Sequence, residues 1–221
     1  MLFCFNASSL CISSQQRGLV YSIPAVTALL PQISCTTEVW KGEGKPVSQV
    51  KLVGAYAIAQ GANRGLVNPT MLQGARYIAF DRMDKFPLTL TLEDSTPVTL
   101  SIIHSHSDVG VSTEGEHPKV RIRARVKAYI ADAGMARRAT AAAIDELAEK
   151  KIEQDTRRSF DAAKAKEIDI YNLEEKLYRD NQARWKELMS RGKPLITLME
   201  LDEVQVEMKL VHSSSYKLLN R

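Results

Sequence analysis

Val120-Arg121-Ile122-Arg123-Ala124-Arg125-Val126-Lys127-Ala128-Tyr129-Ile130 is the stretch whose reading decides the fold. Apolar residues alternate with Arg, Lys and Tyr, the period-2 pattern of a strand with one buried and one wet face. After Ala131-Asp132-Ala133-Gly134 the period changes. From Ala136 to Ala165 there is neither Gly nor Pro, and the helix formers Ala, Glu, Lys and Arg dominate. Ile144, Ala148, Ile152 and Ala163 share one side of that predicted helix, while Thr156 and Ser159 interrupt the apolar stripe. A second helix is predicted over Ile170–Ser190, with Leu173, Leu177, Trp185 and Leu188 on one face. Arg191-Gly192-Lys193-Pro194 stops it, with Gly just past the end and Pro beyond. A final strand runs from Leu195 to about Val211.

Upstream, Val47–Ile58 reads as a strand, with Gly54 where a backbone or ligand comes close. Gln60-Gly61-Ala62-Asn63 is a hairpin turn and Arg64–Val67 the return strand. Asn68-Pro69-Thr70 starts a helix, with Asn as N-cap and Pro in the first turn. It is predicted to reach Phe80 through Met71, Leu72, Ala75 and Ile78. Leu88–Leu92 and Val98–Val109 form a hairpin around Asp94-Ser95-Thr96-Pro97. Gly115-Glu116-His117-Pro118 then leads into the opening strand. This order predicts α+β: a mostly antiparallel sheet packed against two long C-terminal helices, with a closing C-terminal strand. No internal repeat is present. Residues 1–47 are Ser-rich, punctuated by Pro24, Pro31 and Pro46, and show no core of their own. They are expected to be a lead-in segment, the remnant of a preceding domain, with residues 48–221 as the main domain.

A chain of 221 residues can bury a substantial core. Thirty basic and 26 acidic residues leave a net charge of +4, too slight on its own to argue for nucleic acid or a membrane surface. Cys4, Cys11 and Cys35 share no metal-ligand spacing, and no cysteine follows them. No apolar run reaches the ~18 residues of a membrane span. The start lacks the basic residues of a secretory signal, its first positive charge being Arg17. Cys11 follows Leu10, and only three residues precede Cys4, so neither fits a lipobox. The sequence is therefore expected to carry no signal peptide, lipobox or transmembrane segment.

Chemistry is sparse. His104, His106 and Asp108 fall on one face of a strand, and an HxH pair is a zinc-ligand pattern. Ser105 and Ser107 on the opposite face leave the buried side undefined, and no activating base accompanies them. A metal-dependent enzyme at His104/His106/Asp108 thus ranks below a solvated polar face. Arg121, Arg123, Arg125 and Lys127 set four positive charges on one sheet face within roughly 20 Å. That comb suits phosphates, but a single-strand binder would interleave aromatic platforms, and none is present. Pairing with helix carboxylates (Asp145, Glu146, Glu149, Glu153) or with a protein partner is preferred to nucleic acid. No nucleophile elbow, phosphate-cradling glycine loop or pocket-forming carboxylate pair is seen. Trp185, at the spacing of Leu177 and Leu188, is expected to be a core anchor. The residues themselves thus point to a non-catalytic domain without a cofactor.

The assembled order resembles the C-terminal part of the Ger(x)C spore-germination proteins. Leu30-Pro31, Trp40-Lys41 and Gly44-Lys45 resemble the approach to that domain. Leu52-Val53-Gly54-Ala55-Tyr56-Ala57-Ile58 resembles the family's "GtAvF" strand, and Arg64–Val67 its return strand. The passage from Val120–Ile130 into Ala136–Ala165 is similar in order and length. So is Ile168–Leu188, where Tyr178 precedes Trp185-Lys186-Glu187-Leu188, and Val204–Leu210 resembles the terminal strand. The resemblance spans about residues 20 to 215. Ile58 stands where the family has Phe, and no Pro precedes Trp185. The resemblance implies a non-enzymatic C subunit of a nutrient-germinant receptor, beside integral-membrane A and B subunits and membrane-associated in the spore. The family's lipid-modified cysteine and additional N-terminal domains have no counterpart here, so a truncated or separately encoded C-terminal domain is expected. Partner contact is expected at the comb Arg121, Arg123, Arg125 and Lys127 and at the turn around Arg64.

Overall fold

The computed structural model describes residues 28–36, 41–42, 45–46, 49–59, 62–79, 82–93, 95–132 and 140–211. The predictions for Cys4, Cys11, Gln60-Gly61, Phe80 and helix residues 136–139 lie outside these. In chain order the elements are β1 (Ala28–Thr36), β2 (Lys41–Gly42), β3 (Lys45–Pro46), β4 (Gln49–Ala59), β5 (Ala62–Val67) and α1 (Gln73–Ala79). β6 (Arg82–Thr91), β7 (Pro97–Ser112), β8 (Lys119–Asp132) and α2 (Ala141–Ala165) follow. The chain then forms α3 (Leu173–Asp180), α4 (Gln182–Met189), α5 (Leu195–Leu198) and β9 (Glu200–Leu210). The strands form sheets in the orders β1-β4-β5, β2-β3 and β6-β7-β8-β9. The pairs are antiparallel, except that β9 lies parallel to β8. The fold is α+β with a closing C-terminal strand.

Two compact units divide the chain: Met1–Leu72 with Ala163–Thr197, and Gln73–Ala162 with Leu198–Arg221.

The first unit holds β1, β4 and β5. β1, from the lead-in segment, pairs with β4 from Ala28↔Ile58 to Thr36↔Gln49. A Cβ on Gly54 would stand 2.6 Å from the Val67 carbonyl, so backbone is what comes close there. Asn68 does cap a turn, its Oδ1 accepting the Met71 N–H at 2.8 Å, but the helix begins only at Gln73. The single helix predicted over Ile170–Ser190 is two. Asn181, at φ −152°, breaks it and accepts the Arg184 N–H on its side chain, capping α4. The predicted final strand loses its first five residues to α5 and Met199.

The second unit carries β8. Val120, Ile122, Ala124, Val126, Ala128 and Ile130 are buried, and Arg121, Arg123, Arg125 and Lys127 are exposed. The buried face of this sheet shares its core with Ile144, Ala148 and Ile152 of α2 and Tyr77 of α1. Thr156 and Ser159, which interrupt the α2 stripe, are fully buried. They line the crossing of α1 over α2. Gly74 lies against the backbone of Asp155 and Thr156, and the Ser159 hydroxyl accepts the Gly74 N–H at 2.9 Å. This satisfies one of the amides that a helix start leaves without a partner.

The undefined face around His104 also has a physical origin. The β7 register shifts between Ile102 and His104, turning Ser105 and Ser107 inward. Their hydroxyls donate to the carbonyls of Tyr77 and Ile78 in the last turn of α1, both at 2.5 Å. Serines stand where an apolar strand face would continue because helix-end carbonyls need donors. Ser105→Ala is expected to cost about 1–2 kcal/mol, because the buried Tyr77 carbonyl loses its donor. Urea unfolding should show the midpoint falling at constant slope, with a smaller fall for the half-buried Ser107→Ala.

Candidate partner surface

The outward face of the β6-β7-β8-β9 sheet can be read row by row. His104, His106 and Asp108 of β7 stand opposite Lys127, Arg125 and Arg123 of β8. On the other flank, Arg121, Arg123, Arg125 and Lys127 stand beside Glu203, Gln205, Glu207 and Lys209 of β9. His104, His106 and Asp108 each have a cation across from them, which repels a metal ion. Among the described residues no group of three His, Cys, Asp or Glu is placed to hold one.

The comb is only partly neutralised, and not by the helix. The Arg121 Nε lies 3.2 Å from Asp202 and the Arg125 Nε 3.3 Å from Glu207, both on β9. Lys119 is 3.8 Å from Asp202. Three of the four α2 carboxylates expected to pair with the comb are engaged elsewhere. Glu149 accepts the Met208 N–H at 2.8 Å, Asp145 accepts that of Leu210, and Glu153 pairs with Arg157 one turn on. Glu149 and Asp145 bond to the β9 backbone, and among the described residues no ion pair joins an α2 carboxylate to the comb, which corrects the expected pairing. Among the described residues no carboxylate pairs with Arg123 or Lys127. The four cations therefore share one open face, as their period-2 spacing requires.

Arg64 belongs to the first unit, away from that constellation in the chain. It is half-buried and donates to Glu167 at 3.3 Å, while neighbouring Lys166 donates to the Leu66 carbonyl at 2.6 Å. These contacts tie β5 to the segment after α2. Trp185 is the buried anchor that its spacing predicts, packed edge-on against Tyr178 at 5.1 Å.

Sequence reading missed the carboxylates beside it. Glu174 is 5% exposed, and its Oε1 accepts the Trp185 Nε1–H at 3.4 Å. Burial, opposed by the Trp185 hydrogen bond and reinforced by Asp169, pushes its pKa up to about 7. Asp169 is also buried and also raised. Its backbone N–H donors (Glu174 at 2.8 Å, Tyr171 at 3.2 Å) oppose that rise. No spacing in the sequence marks the pair, because both sit where a helix start is ordinarily acidic and wet. Among the described residues no helix is long and apolar enough to cross a membrane.

The crystal structure of the GerBC protein is similar in fold, with a TM-score of 0.66 at 15% sequence identity. The similarity covers 85% of this chain and 57% of that one, so the chain spans 57% of the length of GerBC. No curated protein matches the sequence. The family described as "Spore germination B3/ GerAC like, C-terminal" matches residues 60–213, well over half of the chain. The resemblance carried by the strand-to-helix passage is therefore a family relationship: this chain belongs to the spore germination B3/GerAC-like C-terminal family and has a germination-related role.

Proposed function

We propose that this chain is the C-terminal part of the C subunit of a nutrient-germinant receptor, and that it works by binding proteins rather than by catalysis. Its partners on this reading are the integral-membrane A and B subunits, which keep it at the membrane of the spore. Residues 48–221 are the receptor domain, and residues 1–47 are a lead-in that contributes β1 to it.

The observation that supports this reading is the open β8 face, where Arg121, Arg123, Arg125 and Lys127 project together from a rigid sheet. A sheet holds such a row in fixed geometry without ordering a loop on contact, which lowers the entropic cost of association. Arg64 is the second proposed contact, from the first unit. Replacing all four comb residues with Ser is expected to leave the circular dichroism spectrum and cooperative melting intact, since exposed ion pairs contribute little to stability. Capture of the A and B subunits from detergent extracts should fall at least tenfold. Undiminished capture by the folded variant would sink the assignment of this surface.

A further inference from the structure

One row of the outward face differs from the rest. Arg82 is the register partner of His104, His104 of Lys127, and Lys127 of Lys209. Four basic residues therefore occupy matching register positions across all four strands. At about 4.8 Å between strands, the row spans roughly 14 Å. Like charges directly opposite one another on neighbouring strands repel, so the Lys127–Lys209 neighbours raise the energy of the free sheet. Lys127 and Lys209 are exposed, and among the described residues neither has a carboxylate partner. Exposed Lys85 adds a charge near this end, at the register shift between Arg82 and Phe86.

The other end of the face is balanced. Arg121 stands beside Glu203 and bonds to Asp202, and Lys119 stands beside Glu200 and 3.8 Å from Asp202. One row in from the basic end, Arg125 already meets Glu207. The positive charge is concentrated at the Lys127 end and fades along the comb.

We propose that the row His104–Lys127–Lys209 is a docking line for an acidic segment of a partner protein, a short run of Asp and Glu laid across the strands. The proposal rests on the reading of this chain as a binding component, and narrows it to one end of the face and one partner chemistry. Charge complementarity supplies the attraction, and neutralising the row relieves the repulsion within it. An anionic bilayer fits the face less well. Spread over the whole of it, the bilayer would press its headgroups against Asp108, Glu203 and Glu207, which share their sign.

The test uses the full chain and a fluorescein-labelled octaglutamate peptide followed by anisotropy. Saturable binding at low salt, weakening as salt rises, is expected. Lys127→Gln/Lys209→Gln should bind about tenfold more weakly, and Lys119→Gln/Lys150→Gln, which removes as much charge from exposed positions outside the comb, about as well as the parent. Absence of binding by the parent chain, or equal losses in both double variants, overturns the proposal. So does tighter, row-dependent binding to phosphatidylglycerol vesicles than to the peptide. Thermal melts verify folding, and Lys209→Gln alone repeats the comparison if the double row variant melts early. Capture of A and B subunits separates the two readings. Capture that persists in the row variant overturns the docking line alone, whereas no capture by the parent overturns the partner reading and leaves the peptide affinities to judge the row.

Discussion

Gly74→Ala is expected to lower stability by about 3 kcal/mol or more, at the upper end of the cost of overpacking a core. The added methyl would stand 2.3 Å from the Asp155 carbonyl oxygen and 2.5 Å from the Thr156 Cα. Both are backbone atoms of α2, so no side chain can swing aside, and α1 must lift from the crossing. That movement also stretches the Gly74 N–H bond to Ser159 and disturbs the carbonyls held by Ser105 and Ser107. For a chain of this size the change corresponds to a fall in Tm of roughly 6–12 °C. Gly110→Ala is the control: a Cβ there meets nothing within 4 Å, and stability should stay within about 0.5 kcal/mol. A Gly74→Ala protein melting with the parent would show that the two helices do not meet at this residue.

Stability should also fall as pH rises toward neutrality, because of one side chain. Glu174 has its pKa pushed up from 4.5 to about 7 by burial, so the folded state holds a proton that the unfolded chain has released. The folded protein binds more protons across that window, and stability must decline as pH rises through it. The stabilisation is complete below about pH 4.5 and gone above about pH 7. At 1.36 kcal/mol per unit, the decline from this group is roughly 3 kcal/mol. Glu174→Gln keeps an acceptor for the Trp185 Nε1–H and removes the charge. Its stability relative to the parent should therefore rise across the same window in urea titrations at fixed pH. Asp169, also raised by burial, leaves a residual slope of the same sign. A difference curve that is flat between pH 4.5 and 8 would contradict a buried, protonated Glu174.

How much of this was legible in the sequence depended on whether a pattern was local. The β8 strand and the α2 helix announce themselves because each buries one face against a single core, leaving clean periods of two and of 3.6. Thr156 and Ser159 looked like flaws in the stripe. They are what a helix crossing over Gly74 requires, a fact stated by α1, more than 80 residues away. The break at Asn181 was missed because helix periodicity runs straight through it. Only the capping geometry of its side chain reveals the new start. The comb was visible as a comb, but its polarity was not. That depends on which residues of β6, β7 and β9 lie beside Lys127, and on a register shift at Ile102/His104 that no spacing rule foretells. The family relationship was legible because it rests on element order, which survives when individual residues drift.

The parallel partnership of β8 with β9 also has a history in time. Lys119 finds Glu200 only after 81 further residues have been made (200 − 119), so β8 leaves the ribosome with one hydrogen-bonding edge bare. Its other edge is occupied early, by a hairpin with β7. α2 is synthesised in the interval and already carries Glu149 and Asp145, which later seal the far side of β9. The closing strand thus slots between a waiting edge and a waiting helix, and late, non-local closures of this kind are slow. A chain arrested before Glu200 would present β8 as an open template, the form in which unfinished sheets associate with one another.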